Sequence, residues 1–200
     1  MIGPCVSAQD LKWNEGSIVL ASGMVLTGQI SMAPGQNLIL FRKAETSRGA
    51  SLNEREQFHN GPTAAEALPA YRLTSVFFYD EEANINRRYV AVGDRKVFPG
   101  TQLYETVIQG KLDVLRRPRS FSVTATDAKD YDYYCRDNDT LVPLWKFYSD
   151  IYPSLEDASR QHLAAFIKAN NLQKGNDGNL IRIIGYYNKL IRSEEALARY

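Results

Sequence analysis

Apolar residues run in short stretches through the first two thirds of the chain, and turn-forming residues separate them. This pattern is typical of β-strands. The runs "IVL" and "MVLTGQI" flank Ser22-Gly23 and predict a hairpin. A second hairpin is predicted in "YETVIQGKLDVL", around Gln109-Gly110. Further strands are predicted at 37–42, 73–79, 85–92, 121–124, 131–136 and 141–142.

The last third of the chain changes to helical spacing. Ser154 follows a proline and precedes two acidic residues, so we expect it to cap a first helix. Asn170 and Asn171 are expected to end that helix, and a second helix is expected from Asp177. Gly185 lies inside the second helix, where glycine is unfavourable, and this predicts close packing against a neighbouring element.

Together these patterns predict an α+β protein, with an antiparallel β-sandwich or barrel-like domain and two C-terminal helices packed on it. The β-rich domain is expected to span residues 10–150, and a helical hairpin packed on it to span 151–200. A polar stretch at about 44–70 interrupts the strands and predicts a long loop, with a helical turn near 63–68.

Composition narrows the class of protein only modestly. The chain has 200 residues, 44% of them hydrophobic and 24% charged, which is typical of a globular domain. Its formal net charge of +1 provides no global field for nucleic acid, and we expect no nucleic-acid partner. No apolar run approaches the ~20 residues that cross a bilayer, so we expect no transmembrane segment.

The N-terminus carries a small-residue pattern. Val6-Ser7-Ala8 fits the end of a secretory signal with cleavage before Gln9. We interpret residues 1–9 as a signal-peptide remnant, against the alternative of a frayed terminus. Cys5 would then belong to the leader, and Cys135 is expected to be a small apolar filler in a strand.

Arginine and aromatic clusters are the candidate binding residues. Binding of an anion, a sugar or a peptide is one interpretation; a solvated strand edge and a sandwich core are the others. Arg87 and Arg88 are neighbours on a predicted strand, so one is expected to pair with a carboxylate and the other to face solvent. The candidate ligand-binding residues are Arg116, Arg117, Arg119, Tyr131, Tyr133 and Trp145.

Catalytic and metal-binding patterns are weak. Glu105, Asp113 and Asp132 lie on predicted strands and are the carboxylates considered for acid and base roles in a hydrolase. Asp137-x-Asp139 offers oxygen ligands for calcium, but the same residues are typical of a hairpin turn. We expect no metal and no cofactor.

The order of several motifs resembles that of uncharacterised secreted proteins from Bacteroidota-type bacteria. The motifs are "GSIVLASGMVLTGQI", "NLILFRKA", "VFFYD", "VIQGKLDVL", "YDYYC" and "IRIIGYYNKL", in order over most of 16–190. The resemblance implies export to the periplasm or cell surface. We therefore expect a secreted or periplasmic protein, with association with the outer membrane as an alternative. It implies no known activity, so it identifies no catalytic residues.

These observations lead to one favoured function and two alternatives. We expect a non-enzymatic binding or interaction module of the cell envelope, whose partner is an envelope protein or a small ligand. The first alternative is a hydrolase that acts on glycan or peptide through carboxylate acid and base residues. The second is a purely structural or oligomerisation role through the helices.

Overall fold

A computed structural model describes residues 11–32, 35–43, 64–93, 100–119, 128–138 and 140–197. The chain divides into two compact units, Met1–Leu103 and Tyr104–Tyr200. The first contains β1 (Asn14–Leu20), β2 (Val25–Ser31), β3 (Leu38–Lys43), β4 (Glu66–Pro69), β5 (Leu73–Asp80) and β6 (Ile85–Gly93). The unit boundary falls within β7 (Thr101–Ile108), which is followed by β8 (Leu112–Pro118), β9 (Tyr131–Asp137), β10 (Thr140–Pro143), α1 (Asp157–Ala169) and α2 (Asp177–Leu197).

The strands of the first unit are antiparallel and follow the order β6-β5-β1-β2-β3-β4. The predicted β1–β2 hairpin is confirmed, and Gly23 adopts the positive φ of 85° that its turn requires. The helical turn expected near 63–68 is wrong where the chain is described, because Glu66–Pro69 instead pairs with β3. The backbone hydrogen bonds between β3 and β4 outweigh the helical preference of Ala67.

One face of this first sheet forms an apolar core. Ile18, Ile30 and Val76 are fully buried there, with Leu20, Ile39, Phe41, Leu68, Leu73, Phe78 and Leu103 around them. Gly16 on β1 lies directly opposite Gly28 on β2 at the edge of this cluster. A β-carbon on Gly16 would lie 2.3 Å from the backbone oxygen of Phe77. Glycine at this position therefore allows β1 and β5 to approach closely.

The second unit has the order β7-β8-β9-β10, and its helices pack on one face of these strands. The hairpin predicted around Gln109-Gly110 is confirmed as the β7–β8 connection. Its core joins alternate strand residues to helix residues, including Leu112, Val114, Cys135, Phe147, Leu163, Leu180, Ile183 and Ile184. Cys135 is a fully buried free thiol, and burial raises its pKa to about 12, which confirms its interpretation as a filler.

A buried asparagine joins α2 to the β7–β8 hairpin. The side chain of Asn188 accepts a hydrogen bond from the Leu112 amide at 2.9 Å and donates one to the Leu112 carbonyl at 2.8 Å. Gly110 leaves the space that this side chain occupies, since a β-carbon there would lie 2.3 Å from Asn188 Cγ. Gly185 also lies close to a strand, because its added β-carbon would contact Ile108 at 3.3 Å, and this confirms the expected close packing.

The α+β class and the antiparallel pairing are confirmed, and the strand orders are linear. The cap prediction for Ser154 is wrong: its hydroxyl donates to the Ile151 carbonyl within a 3-10 turn, and α1 follows Glu156. Asn171 adopts a positive φ of 50° beyond α1, as expected for a helix end. The predicted leader at 1–9 and the strand at 121–124 lie outside the described residues, as does 44–63 of the polar stretch. None of the described helices combines the length and apolar character needed to cross a bilayer.

Candidate functional site

Three of the six candidate binding residues form one cluster in the second unit. Arg116 on β8 lies opposite Tyr133 on β9 and opposite Glu105 on β7. Its Nε donates to Glu105 Oε2 at 2.8 Å, and its guanidinium carbon is 4.3 Å from the centroid of the Tyr131 ring. Tyr131 and Tyr133 are buried and belong to the core under the helices.

The charges of this cluster compensate each other internally. Burial lowers the pKa of Arg116, but the hydrogen bond and charge of Glu105 outweigh burial and hold the pKa above its usual value. The guanidinium is thus permanently charged and already engaged by a carboxylate and an aromatic ring. A ligand at this position would have to displace those contacts, so the geometry favours a structural role for Arg116.

The other three candidates do not converge on that cluster. Arg117 lies opposite Asp132, on the face of β8 that alternates with the face of Arg116. Arg119 is ion-paired with Asp132 at 2.8 Å in a half-exposed position. Trp145 follows β10 and is 73% exposed, with Lys146 Nζ 5.1 Å from its ring centroid. The ligand-binding role of these six residues stays a prediction.

The carboxylates considered for a hydrolase do not form a matched pair. Glu105 lies opposite Arg116 and Asp113 lies opposite Arg136, so the two carboxylates are on alternate faces. Asp132 lies on the same face as Asp113. It is opposite Arg117, which is four residues from Asp113 along β8, so the backbone positions of the two aspartates are about 13 Å apart. Glycosidase carboxylates lie roughly 5–9.5 Å apart. No two of these three residues have that arrangement.

The Asp137 region is a hairpin turn. Asp137 ends β9, its carboxylate accepts a hydrogen bond from Asn138 Nδ2 at 3.1 Å, and Thr140 pairs back with Asp137. Asn138 has a positive φ of 52°, which suits a turn. Asp139 lies outside the described residues. Within the part of the chain that the structure describes, no three His, Cys, Asp or Glu side chains cluster closely enough to hold a metal ion.

An exposed aromatic surface lies instead on the first unit. Phe77 and Tyr79 project from β5 to the face opposite the core, and they are 46% and 41% exposed. On β6, Arg88 lies opposite Phe77 and Asn86 lies opposite Tyr79. Ser17 on β1 flanks Phe77 on the other side, and Thr27 on β2 follows Ser17 in the same row. We call this set of six residues the aromatic face: Phe77, Tyr79, Asn86, Arg88, Ser17 and Thr27.

The aromatic face is held by strand geometry and by local contacts. The Cα atoms of Phe77 and Tyr79 are about 7 Å apart along β5, because alternate residues of a strand share a face. The Tyr79 hydroxyl donates to Asn84 Oδ1 in the β5–β6 turn, which fixes the orientation of that ring. A rigid strand presents such side chains with little loss of conformational entropy on binding.

An ion-pair network on the opposite face anchors the hairpin that carries these rings. The buried carboxylate of Asp80 accepts hydrogen bonds from Lys12 Nζ at 2.5 Å, Arg87 Nε at 2.7 Å and the Ala83 amide at 3.3 Å. Burial opposes ionisation of Asp80, but these bonds outweigh it and lower its pKa to about 2. The pair with Arg87 and the exposure of Arg88 confirm the expectation that these neighbours face opposite sides.

We expect Asp80→Asn to lower the free energy of unfolding at neutral pH by about 1–2 kcal/mol. The depressed pKa contributes stability that is fully present above the ordinary value of 3.8 and is lost as the pH falls toward 2. The difference between wild type and variant should therefore shrink across that window. Urea unfolding between pH 7 and pH 2 measures it, with Glu81→Gln in the same turn as the control. A difference that is unchanged at pH 2 would contradict the assignment.

The pattern of the sequence alone did not identify the aromatic face. Alternation in "TSVFFYD" places Phe77 and Tyr79 on one face of a strand and Phe78 on the other, yet both faces are apolar. In the structure, Asp80 lies on the same face of β5 as Phe78 and pairs with Arg87 there, which distinguishes the buried face from the exposed one. No known family model, curated protein or solved structure matches this chain.

Proposed function

We propose that this chain is a non-enzymatic binding module of the cell envelope, and that it engages its ligand through the aromatic face. The observation that carries this proposal is the pair of large exposed rings, Phe77 and Tyr79, beside Arg88 on neighbouring strands. Aromatic residues and arginine are enriched at binding surfaces, and aromatic rings bury much area while losing little side-chain entropy.

Two further features support a binding role. Glu105, Asp113 and Asp132 each pair with an arginine and lie apart from one another, so the carboxylates considered for catalysis serve the fold. The exposed rings lie on strands anchored by the Asp80 network and are available without rearrangement. The envelope location rests on the resemblance to secreted proteins. We extend it to an exported, periplasmic or cell-surface protein, and we retain the sandwich or barrel-like arrangement as the finer form of its fold.

The test is co-sedimentation of purified protein with a washed envelope fraction from a Bacteroidota bacterium. We expect wild-type protein to bind, and the double variant Phe77→Ser/Tyr79→Ser to bind at least about tenfold more weakly, since both stacking surfaces are removed. Because these side chains lie outside the buried core, the double variant should keep the circular dichroism spectrum and the cooperative unfolding of the wild type.

Tyr71→Ser is the matched control, because Tyr71 is 70% exposed but lies in the 3-10 turn before β5, away from the aromatic face. It should bind like wild type. Equal binding by the double variant would contradict the assigned surface. Release of soluble glycan or peptide fragments during the incubation would contradict the non-enzymatic role.

A further inference from the structure

We propose that one flank of α2, together with the turn of the β7–β8 hairpin beside it, is an electrostatic contact for an anionic lipid surface. We call the residues that carry this contact the basic flank: Lys111, Arg182, Lys189 and Arg192. The inference uses no residue of the aromatic face and goes beyond the proposed ligand binding. It combines three properties: neighbouring exposed cations, the absence of a carboxylate paired with them, and the absence of an exposed apolar anchor.

Helical spacing places three of these cations along one side of α2 (Asp177–Leu197). Arg182 and Lys189 are seven residues apart, so their side chains leave the helix within about 20° of one another and about 10 Å apart along its axis. Arg192 follows Lys189 by three residues, which turns it by about 60° toward the side of Asn188. All three cations are exposed.

The fourth cation comes from the strand turn on which α2 packs. Gly110 and Leu112 both contact the side chain of Asn188, and the exposed Lys111 lies between them. Arg192 follows Asn188 by one helical turn and is therefore on the side of the helix that faces this hairpin. The turn thus continues the row of positive charge beyond the helix.

The fold does not use these charges. Within the described part of the chain, none of the four side chains forms an ion pair or a hydrogen bond, and Glu195 does not pair with Arg192 three residues before it. Lys189 and Arg192 are like charges at a spacing that brings them together, and they repel each other. Other arginines of the same unit each pair with a carboxylate: Arg116, Arg119, Arg136 and Arg160. The cations of the basic flank are therefore available to an anionic partner.

The remaining composition of the flank favours a lipid surface over other anionic partners. Among the described residues of α2, no large apolar side chain is exposed, so the flank lacks the anchor that dominates protein interfaces. The four residues of the flank include no aromatic ring on which a nucleic-acid base could stack. A lipid surface needs neither feature, because its headgroups present a layer of negative charge that mobile lysine and arginine side chains approach together.

Flotation of the full chain with lipid vesicles tests this inference. The anionic vesicles contain about three parts phosphatidylethanolamine to one part phosphatidylglycerol, and in the neutral vesicles phosphatidylcholine replaces phosphatidylglycerol. At about 0.01 M salt we expect binding to the anionic vesicles and none to the neutral ones. Binding should be lost at about 1 M salt, where the Debye length falls to about 3 Å.

Variants assign the binding to the flank. Lys189→Gln should weaken binding to the anionic vesicles about fivefold, and Lys189→Gln/Arg192→Gln about 25-fold, because each cation near the surface adds a similar attraction. Lys189→Arg keeps the charge and should bind like wild type. Lys43→Gln is the matched control, since Lys43 is an exposed lysine on β3 of the first unit and lies outside the flank. It should also bind like wild type.

Four outcomes would overturn the inference. Absence of binding to anionic vesicles at low salt would remove the lipid contact, and equal binding to neutral vesicles would show apolar insertion. Undiminished binding by Lys189→Gln/Arg192→Gln would place the contact elsewhere. Tighter binding of duplex DNA than of anionic vesicles would show a nucleic-acid surface.

The aromatic face and the basic flank are tested separately. Phe77→Ser/Tyr79→Ser should bind the vesicles like wild type, and an envelope assay at about 1 M salt screens the flank and reports the aromatic face. If that assay depends on Phe77 and Tyr79 while the vesicles do not bind, the inference fails and the proposed function stands. If the vesicles bind through the flank while the aromatic variants bind the envelope normally, the proposed function fails and the inference stands.

Discussion

Gly110→Ala is expected to lower the free energy of unfolding of the second unit by about 2–4 kcal/mol. The new β-carbon would lie 2.3 Å from Asn188 Cγ, and that side chain is held by two hydrogen bonds to Leu112. Relief of the clash requires Asn188 to move, which leaves a buried amide and a buried carbonyl of Leu112 without partners. Urea unfolding measures the loss, and hydrogen exchange of the Leu112 amide reports it locally.

A double-mutant cycle separates the clash from other causes. Asn188→Gly removes the obstructing side chain and is itself destabilising, but in that background Gly110→Ala should cost less than about 0.5 kcal/mol. Gly175→Ala is the control in the same unit, since its added β-carbon meets nothing within 4 Å. An equal cost for Gly110→Ala in both backgrounds would refute the proposed contact.

Gly16→Ala is expected to destabilise the first unit by roughly 3–5 kcal/mol. An added β-carbon would lie 2.3 Å from the Phe77 backbone oxygen, 2.7 Å from Phe78 Cβ and 2.8 Å from Ile30 Cδ1. The first of these atoms belongs to the backbone of the paired strand, so no change of side-chain rotamer removes the clash. The β1–β5 pairing itself must open, and the row that presents Phe77 is distorted with it.

Chemical denaturation of Gly16→Ala and Gly93→Ala provides the comparison. Gly93 ends β6, and an added β-carbon there meets nothing within 4 Å. We expect Gly93→Ala to be neutral or slightly stabilising, because alanine restricts the unfolded chain. A Gly16→Ala protein as stable as Gly93→Ala would contradict the close approach of β1 and β5.

Gly16 and Gly110 explain, through packing, why some of the sequence motifs contain glycine. "GSIVL" contains Gly16, and the motifs "VIQGKLDVL" and "IRIIGYYNKL" meet where Gly110 accommodates Asn188. Their spacing therefore reflects packing of strands and helices, without any need for a ligand. These glycines account for part of the motifs through packing alone, whereas other motif positions, Ser17, Phe77 and Tyr79 among them, lie on the proposed binding surface.

The sequence predicted the two hairpins correctly, because short turn segments with glycine separate their strands. Ser22-Gly23 lies in the three-residue turn between β1 and β2, where Gly23 has a positive φ, and Gln109-Gly110 lies in the short connection between β7 and β8. β4 was missed, since "EALP" has little intrinsic strand preference and becomes a strand only by pairing with β3. Ser154 was misassigned because the preceding proline supports a 3-10 turn as readily as a helix start.

The candidate site was harder to predict, because exposure depends on register between distant residues. The pairing of Arg116 with Glu105 could not be derived by counting from the predicted turn, because the register of the hairpin shifts between Thr106 and Ile108. The burial of Tyr131 and Tyr133 depends on helices that pack from elsewhere in the chain. The exposure of Phe77 rather than Phe78 follows from the pairing of β5 with β1 and β6, which no local pattern reveals.

Hydroxyl-radical footprinting of the envelope-bound protein tests the assigned binding surface most directly. Exposed aromatic side chains are oxidised readily, and a bound ligand protects those that it covers. We predict that oxidation of Phe77 and Tyr79 falls on binding, while oxidation of Tyr71, which is exposed in the same unit but is not part of the aromatic face, stays at the level of the free protein. Unchanged oxidation of Phe77 and Tyr79 in the envelope-bound protein would contradict the account.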